Sequence, residues 1–305
     1  MKLLICREEI KGMEIRVLEY FLAVAREQNI TRAAQYLHLT QPTLSRQLTD
    51  LEKEFGKQLL IRGKRKVTLT EDGLYFRKRA EEIVSLVKRT EDEMKNNDTV
   101  LSGNIYIGTG ESDEIRNIIR VAAKLQAEYP DVHFHFNSGD SGDLAERLDK
   151  GLFDFCVLYG NIDQSKYEFI PMPYHERWGL LMPSDCELAE YEEIPTEKLW
   201  DKPLILSRQS LNNPQYFKWL GRKSEELNIV NTYNLVYNGT LMAEAGMGYV
   251  LTLEKLVNTS GTDLCFRRIV PEHTIPLSLV WKKYQVHSPA AEKFIKALYE
   301  SFTEG

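Results

Sequence analysis

Residues 30–56 read ITRAAQYLHLTQPTLSRQLTDLEKEFG, and two helical stripes run through them. Ile30, Ala33, Ala34 and Leu37 recur at the i, i+3, i+4, i+7 spacing of one helix face. His38-Leu39 interrupt the pattern. Thr40 then offers an N-cap hydroxyl, and Pro42 falls in the first turn, where its missing N–H costs nothing. Leu44, Leu48, Leu51 and Phe55 form the second stripe, which Gly56 ends. Two short helices joined by so tight a turn predict a helix-turn-helix. Off the apolar face, the start of the second helix carries Gln41, Thr43, Ser45, Arg46 and Gln47. These side chains suit base edges: Arg bonds guanine bidentately, Gln bonds adenine, and a Thr methyl touches thymine. A helix N-terminus also attracts phosphate.

The flanks extend the pattern. Upstream, Leu18, Phe21, Leu22 and Ala25 mark a helix that ends near Asn29. Downstream, 58–61 and 67–69 read as short strands around Arg62-Gly63-Lys64-Arg65-Lys66. So many cations around one glycine form either a solvated basic turn or, next to a helix-turn-helix, a wing whose charge phosphate neutralises. Thr70 can cap a further helix, with Glu71 and Asp72 matching its dipole and Gly73 a slight cost. Phe76, Ala80, Ile83, Val87, Thr90 and Met94 then alternate spacings of four and three, a heptad seam. Such a seam packs either on its own protein or against a second subunit. The polar run KNNDTVLSG at 95–103 marks a domain boundary.

At 305 residues the chain is too long for one typical domain. No apolar run approaches the ~18 residues of a membrane helix, and MKLLIC at the start is too short for a secretory signal; the expected location is the cytoplasm. Residues 1–95 hold 19 Lys+Arg against 15 Asp+Glu, while the remainder holds 20 against 30, so only the first part suits an anionic polymer. Cys6, Cys156, Cys186 and Cys265 are widely spaced and form no Cys-x-x-Cys, which argues against a zinc site or disulfide framework. Reduced thiols are expected, with a redox-sensing pair as the alternative.

From residue 104 strands and helices alternate: strands at 104–109, 132–137, 153–159, 178–182, 204–207, 233–236, 249–253 and 277–281, helices at 113–129, 144–150, 214–227, 241–245 and 290–301. Ile115, Ile119, Ala122 and Ala123 are expected to face inward from the first of these helices. The rhythm predicts α/β layers with mostly parallel sheets. Ligands in such folds bind beyond the carboxyl ends of strands. Those ends offer Gly110, Glu111 and Ser112, then Ser138, Gly139 and Asp140, then Tyr159, then Ser207, Arg208 and Gln209, then Asn238. Each alone reads equally well as a cap or turn; as a set they outline a cleft suited to a carboxylate or other anion.

One resemblance is specific. Ala33-Ala34, Leu37, Thr40 to Gln47, Leu51-Glu52, Gly56, Leu59 to Arg62 and Thr68 to Gly73 stand in the order and spacing found in the DNA-binding region of LysR-type transcriptional regulators. Ile61 stands where that family usually has Phe, and Asp72 where Ala is common. The resemblance implies base contacts from Gln41, Pro42, Ser45 and Arg46, and phosphate contacts from Thr31, Arg62 and Arg65, with Arg32 and Lys64 as further candidates. It implies an α+β protein. A 1–12 extension comes first (or a true start at Met13), then a winged helix-turn-helix at 13–70. A linker helix at 71–95 pairs subunits through Phe76, Ala80, Ile83, Val87 and Met94, and a hinge follows at 96–103. The effector-binding region at 104–301 resembles periplasmic binding proteins, with lobe I at 104–161 and 268–301 and lobe II at 162–267. The implied partners are pseudo-palindromic double-stranded DNA, a second copy or more of the chain, RNA polymerase, and a small anionic effector in the interlobe cleft; no cofactor and no membrane are implied.

Other chemistry finds little footing. His133 and His135 share a strand face but lack a third ligand at partner spacing. There is no P-loop, Gly-x-Ser-x-Gly or His-Glu-x-x-His, so no metal or catalytic site is expected. A metabolic enzyme with a DNA-binding arm would need catalytic residues after 104. A nucleoid-type protein would bind DNA without sequence preference.

Overall fold

The computed structural model describes residues 13–63, 66–95 and 101–303, in two units divided after Lys95. The expected extension at 1–12, together with Cys6, Lys64, Arg65 and most of the 96–103 hinge, lies outside the described residues.

The first unit runs α1 (Ile15–Glu27), α2 (Ile30–Tyr36), α3 (Gln41–Phe55), β1 (Leu60–Arg62), β2 (Val67–Leu69) and α4 (Glu71–Lys95). Phe21, Val24, Ala33, Ala34, Leu44, Leu48 and Leu51 bury their side chains in one core. Asn29 caps α2 by accepting from Arg32 N at 3.0 Å, and Thr40 caps α3 by accepting from Thr43 N. The turn between them closes through His38, whose φ of 56° is left-handed, and Leu39 N donates to Ala34 O at 2.8 Å. β1 and β2 pair antiparallel, Leu60 opposite Leu69.

Gly73 is more than a weak helix former. A Cβ there would lie 2.1 Å from Leu59 O and 3.3 Å from Leu69 Cβ, so the bare backbone lets α4 start against the wing strands. Thr70 Oγ1 caps α4 by accepting from Gly73 N at 2.9 Å and itself donates to Gln58 O at 2.7 Å.

Only part of the α4 seam is buried within this unit. Ala80 and Val84 are buried with Leu18 of α1, with Phe76 and Ile83 packed against them. Phe76 also meets Phe21 edge-on at 4.9 Å and Phe55 at 5.3 Å. Phe76, Ala80 and Ile83, expected to pair subunits, therefore serve the chain's own core, since α1 presents an apolar stripe within reach. Val87 is half-buried and Met94 is 81% exposed.

In the second unit, β3 (Gly103–Thr109), α5 (Ile115–Glu128), β4 (Val132–Ser138), α6 (Ser141–Asp149) and β5 (Phe155–Tyr159) come first. The chain continues through β6 (Tyr167–Pro183), β7 (Glu193–Pro195), β8 (Leu204–Ser207), α7 (Pro214–Leu220), β9 (Ile229–Tyr233) and α8 (Val236–Glu244). It ends with β10 (Tyr249–Leu253), β11 (Leu264–Val270), β12 (Thr274–Lys282) and α9 (Pro289–Thr303). The strand order is β4-β3-β5-β12-β6-β10-β8-β9, with β11 paired to β6 and β7 paired to the far side of β11.

Strand β6 is shared. Its first part, from Tyr167 to Arg177, pairs with β12; its second part, from Trp178, pairs with β10 and β11. The lobe boundaries therefore differ from those expected: residues 167–177 belong to the first lobe's sheet, and β11, up to Val270, to the second lobe's. Each lobe has its own core, around Ile105, Phe155, Leu279 and Phe294 in the first and Leu180, Leu204, Tyr216 and Leu251 in the second. The inward face of α5 is Ile118, Val121, Ala122 and Leu125; of the expected set, Ile119 is 44% exposed and Ala123 is exposed too.

Candidate DNA interface and interlobe cleft

Helix α3 buries Leu44, Leu48 and Leu51 and thereby turns Gln41, Pro42, Thr43, Arg46 and Gln47 to the surface. The Arg46 side chain is 84% exposed, and its ion partner is Asp50, one turn along the same helix at 3.7 Å. Ser45 is half-buried, and the Thr43 hydroxyl lies 2.8 Å from that of Thr40.

Two expected phosphate ligands have partners inside the protein. Arg62 donates to Thr49 Oγ1 at 2.8 Å, to Glu52 Oε2 at 3.1 Å and to Ser45 Oγ at 3.3 Å, lacing the wing to α3. Arg32 donates to Glu27 O at 2.8 Å and so closes the end of α1. Thr31 is exposed at the start of α2. Sequence reading assigned no role to Glu52. Its Oε1 accepts from Leu59 N at 2.8 Å and Leu60 N at 2.9 Å, so one carboxylate holds both the wing strand and Arg62. A carboxylate one turn before a helix-ending glycine, facing a strand, is the signal that was available.

The strand ends of the second unit converge on a cavity of about 470 Å³. Of the expected residues, Gly110, Glu111, Gly139, Asp140, Tyr159, Ser207, Arg208 and Gln209 line it. At Gly110 a Cβ would lie 2.6 Å from the Tyr159 ring, so the close approach of these walls needs glycine. Polar contacts cross between the lobes at this cavity. Asp140 accepts from Arg208 at 3.0 Å, Ser141 donates to Gln209 Oε1 at 3.1 Å, and the Glu111 carboxylate accepts from Val236 N at the start of α8. The Asp143 N–H, followed by Arg208, holds the Asp140 carboxyl below its usual range.

Three expected residues stand elsewhere. Ser112 is buried, donates to Glu176 and accepts from Glu114 N at 3.0 Å, so it caps and anchors rather than facing the cleft. Ser138 is exposed at the end of β4 and does not line the cavity. Asn238 lies within α8 rather than at a strand end, and borders a separate surface hollow. At the expected anion site the protein's own Asp140 pairs with Arg208, and its own Glu111 accepts from the start of α8.

Sequence reading missed the aromatic wall, because its members lie far apart in the chain. Trp178 and Tyr216 meet edge-on at 4.8 Å, with Tyr233 nearby in the same lining. Trp178 Nε1 and the Tyr216 hydroxyl are buried without a hydrogen-bond partner among the described residues. An orphaned polar group of this kind costs about 1–3 kcal/mol. Burial pushes the Tyr216 hydroxyl well above its ordinary range, so it stays protonated.

Glu176, 4% exposed, supplies a pH test. Burial, ahead of the opposing Ser112 hydrogen bond, raises its carboxyl above the ordinary 4.5. The folded state then holds the proton more tightly than the unfolded state, so this group's contribution to stability is intact at low pH and lost as pH rises past 4.5. Glu176→Gln removes that dependence. Its melting temperature relative to wild type should rise between acidic and neutral pH, as read by thermal shift; a flat difference would show that Glu176 ionises as it does in water.

Among the described residues no group of His, Cys, Asp and Glu could hold a metal. His135 instead stacks on Tyr106 at 4.6 Å, with Nε2 2.9 Å from Asn104 Oδ1. Cys156 is buried and its thiol is pushed up to about 12 by desolvation; Cys156, Cys186 and Cys265 are free thiols. Among the described residues no helix is long and apolar enough to cross a membrane.

A winged helix-turn-helix followed by a two-lobed α/β unit with an interlobe cavity defines a DNA-binding regulator with an effector-binding domain. Residues 15–74 match the model of bacterial regulatory helix-turn-helix proteins of the lysR family, and residues 99–303 match the LysR substrate binding domain. The chain belongs to the LysR family of transcription regulators, which are not enzymes. It is similar to the Hca operon transcriptional activator HcaR of Escherichia coli (strain K12), with 28% identity over 297 residues, 94% of this chain and 98% of the activator. It is also similar to the uncharacterized HTH-type transcriptional regulator YybE of Bacillus subtilis (strain 168), with 26% identity over 294 residues, 96% of this chain and all of that regulator (100%). The crystal structure of CbnR, a LysR family transcriptional regulator, shares the fold with a TM-score of 0.76 at 21% identity, over 95% of this chain and 99% of CbnR. Full-length CbnR in complex with its target DNA gives 0.74 at 21% identity, over 95% of this chain and 100% of CbnR.

Proposed function

We propose that this regulator binds a pseudo-palindromic operator as a homo-oligomer, dimer or tetramer, in the cytoplasm, and that an effector in the interlobe cleft changes how it sits on DNA. RNA polymerase is the proposed further partner. The carrying observation is the exposed start of α3, where Gln41, Pro42 and Arg46 stand clear of a core built from the same helix's leucines. In this reading Gln41, Pro42, Thr43, Ser45 and Arg46 read bases, and Thr31, Arg62, Lys64 and Arg65 meet phosphates. Arg62 does so by exchanging its tie to Thr49 for DNA, whereas Arg32 acts through the end of α1. Val87 and Met94, the seam residues not buried on α1, take part in pairing. Effector action requires different affinities for two arrangements of the cleft; the contacts of Asp140 with Arg208 and Glu111 with Val236 are the ties such a change would break or remake.

The test is selection of bound sequences from a random duplex library. The expected product is a motif with two related half-sites, one or more DNA turns of about 10–10.5 bp apart. Failure to enrich any motif would overturn the reading.

A further inference from the structure

Resting on the cleft being the effector site, we propose that it takes an uncharged aromatic compound with one hydrogen-bond acceptor, a carbonyl or phenol oxygen, seated against Trp178 and Tyr216. The cavity, about 470 Å³, is of small-molecule size. Its second-lobe wall is aromatic, with Trp178 and Tyr216 edge to face at 4.8 Å, an arrangement into which a further ring packs in the same way.

Charge narrows the class. An anion needs a cation or a helix start that is not already taken. Arg208 already holds Asp140 at 3.0 Å, and the first turn of α8 already donates to Glu111. Glu111 forms no ion pair among the described residues. An anionic ring would therefore meet two carboxylates against a single arginine, whose charge Asp140 already offsets. A cation would gain from Glu111 but could not satisfy the wall, because an indole N–H only donates. The Trp178 N–H and the Tyr216 hydroxyl both lack partners among the described residues, and an acceptor on a neutral ring supplies what they lack. Both residues line the cavity while their polar atoms are buried, so reaching those atoms takes a shift of side chains.

The experiment titrates the full chain with benzamide, benzoate and benzylamine, three single rings that differ in charge, by calorimetry or ligand-observed NMR. Wild type, Tyr216→Phe and Ser207→Trp are compared, the last placing an indole in the cavity. Benzamide should bind at least tenfold more tightly than either ion. Tyr216→Phe should weaken benzamide by about tenfold without lowering the melting temperature, because the hydroxyl removed has no partner to lose. Ser207→Trp should abolish binding. If benzoate or benzylamine equals benzamide while Ser207→Trp still blocks binding, the ligand class is overturned and the cleft stands. Unchanged benzamide affinity in Tyr216→Phe overturns the assigned donor. If no probe binds, or Ser207→Trp does not block, the cleft reading falls and the inference falls with it.

Discussion

Gly73→Val is expected to destabilise the DNA-binding unit by about 3 kcal/mol, the upper end of the usual cost of overpacking. For a unit of this size that lowers its melting temperature by roughly 15 °C. The new Cβ would stand 2.1 Å from a backbone oxygen, that of Leu59, and a backbone atom cannot swing aside as a side chain can. Leu59 is pinned on both sides: its N–H by Glu52 at 2.8 Å and its carbonyl by Thr70 N at 3.1 Å. To make room, either the wing leaves α3 or α4 gives up its first turn. Scanning calorimetry of the full chain should show the first unit melting earlier while the second keeps its transition. A variant that melts like wild type would mean that α4 does not start against the wing.

Arg46→Ala is expected to cost operator binding roughly 1–3 kcal/mol, the worth of a good base contact, or about tenfold to hundredfold in affinity. The fold should be untouched, because the side chain is 84% exposed and pairs with Asp50 of its own helix. Loss of a base contact lowers affinity most on the preferred sequence, whereas loss of a phosphate contact such as that expected of Arg62 lowers it on all sequences and reduces the salt dependence. Fluorescence anisotropy at two fixed salt concentrations separates the two. Wild-type affinity in Arg46→Ala, on the selected sequence, would show that α3 docks on DNA through another face.

The helix-turn-helix was legible because every level agreed. The stripe of Leu44, Leu48 and Leu51, the Thr40 cap, Pro42 in the first turn and Gly56 at the end all specify one helix, and that helix is α3. Helix α5 was legible as a helix, but its face was not. Ile115, Ile118, Ile119, Val121 and Ala122 supply two overlapping stripes, and packing against the sheet selects the one through Ile118 and Leu125. The heptad of α4 was read correctly as a stripe, yet its first half is claimed by Leu18 of α1, a choice that no spacing within α4 can reveal. In the cleft, hydroxyls and glycines at strand ends were visible because chain order places them there. Ser112 could not be sorted from them, since its partner Glu176 is 64 positions away. The aromatic wall escaped for the same reason: Trp178, Tyr216 and Tyr233 come from β6, α7 and β9, which only the fold brings together.

The central claim is that the exposed start of α3 gives sequence-specific DNA binding. The most direct measurement is a pair of wild-type titrations at one physiological salt concentration, on the selected duplex and on a scrambled duplex of the same length and composition. The expected result is binding at least about a thousandfold tighter to the selected duplex, the low end for specific regulators. Equal affinity for the two would mean that the protein holds DNA by its phosphates alone, and would contradict the assignment of Gln41, Ser45 and Arg46 to base recognition.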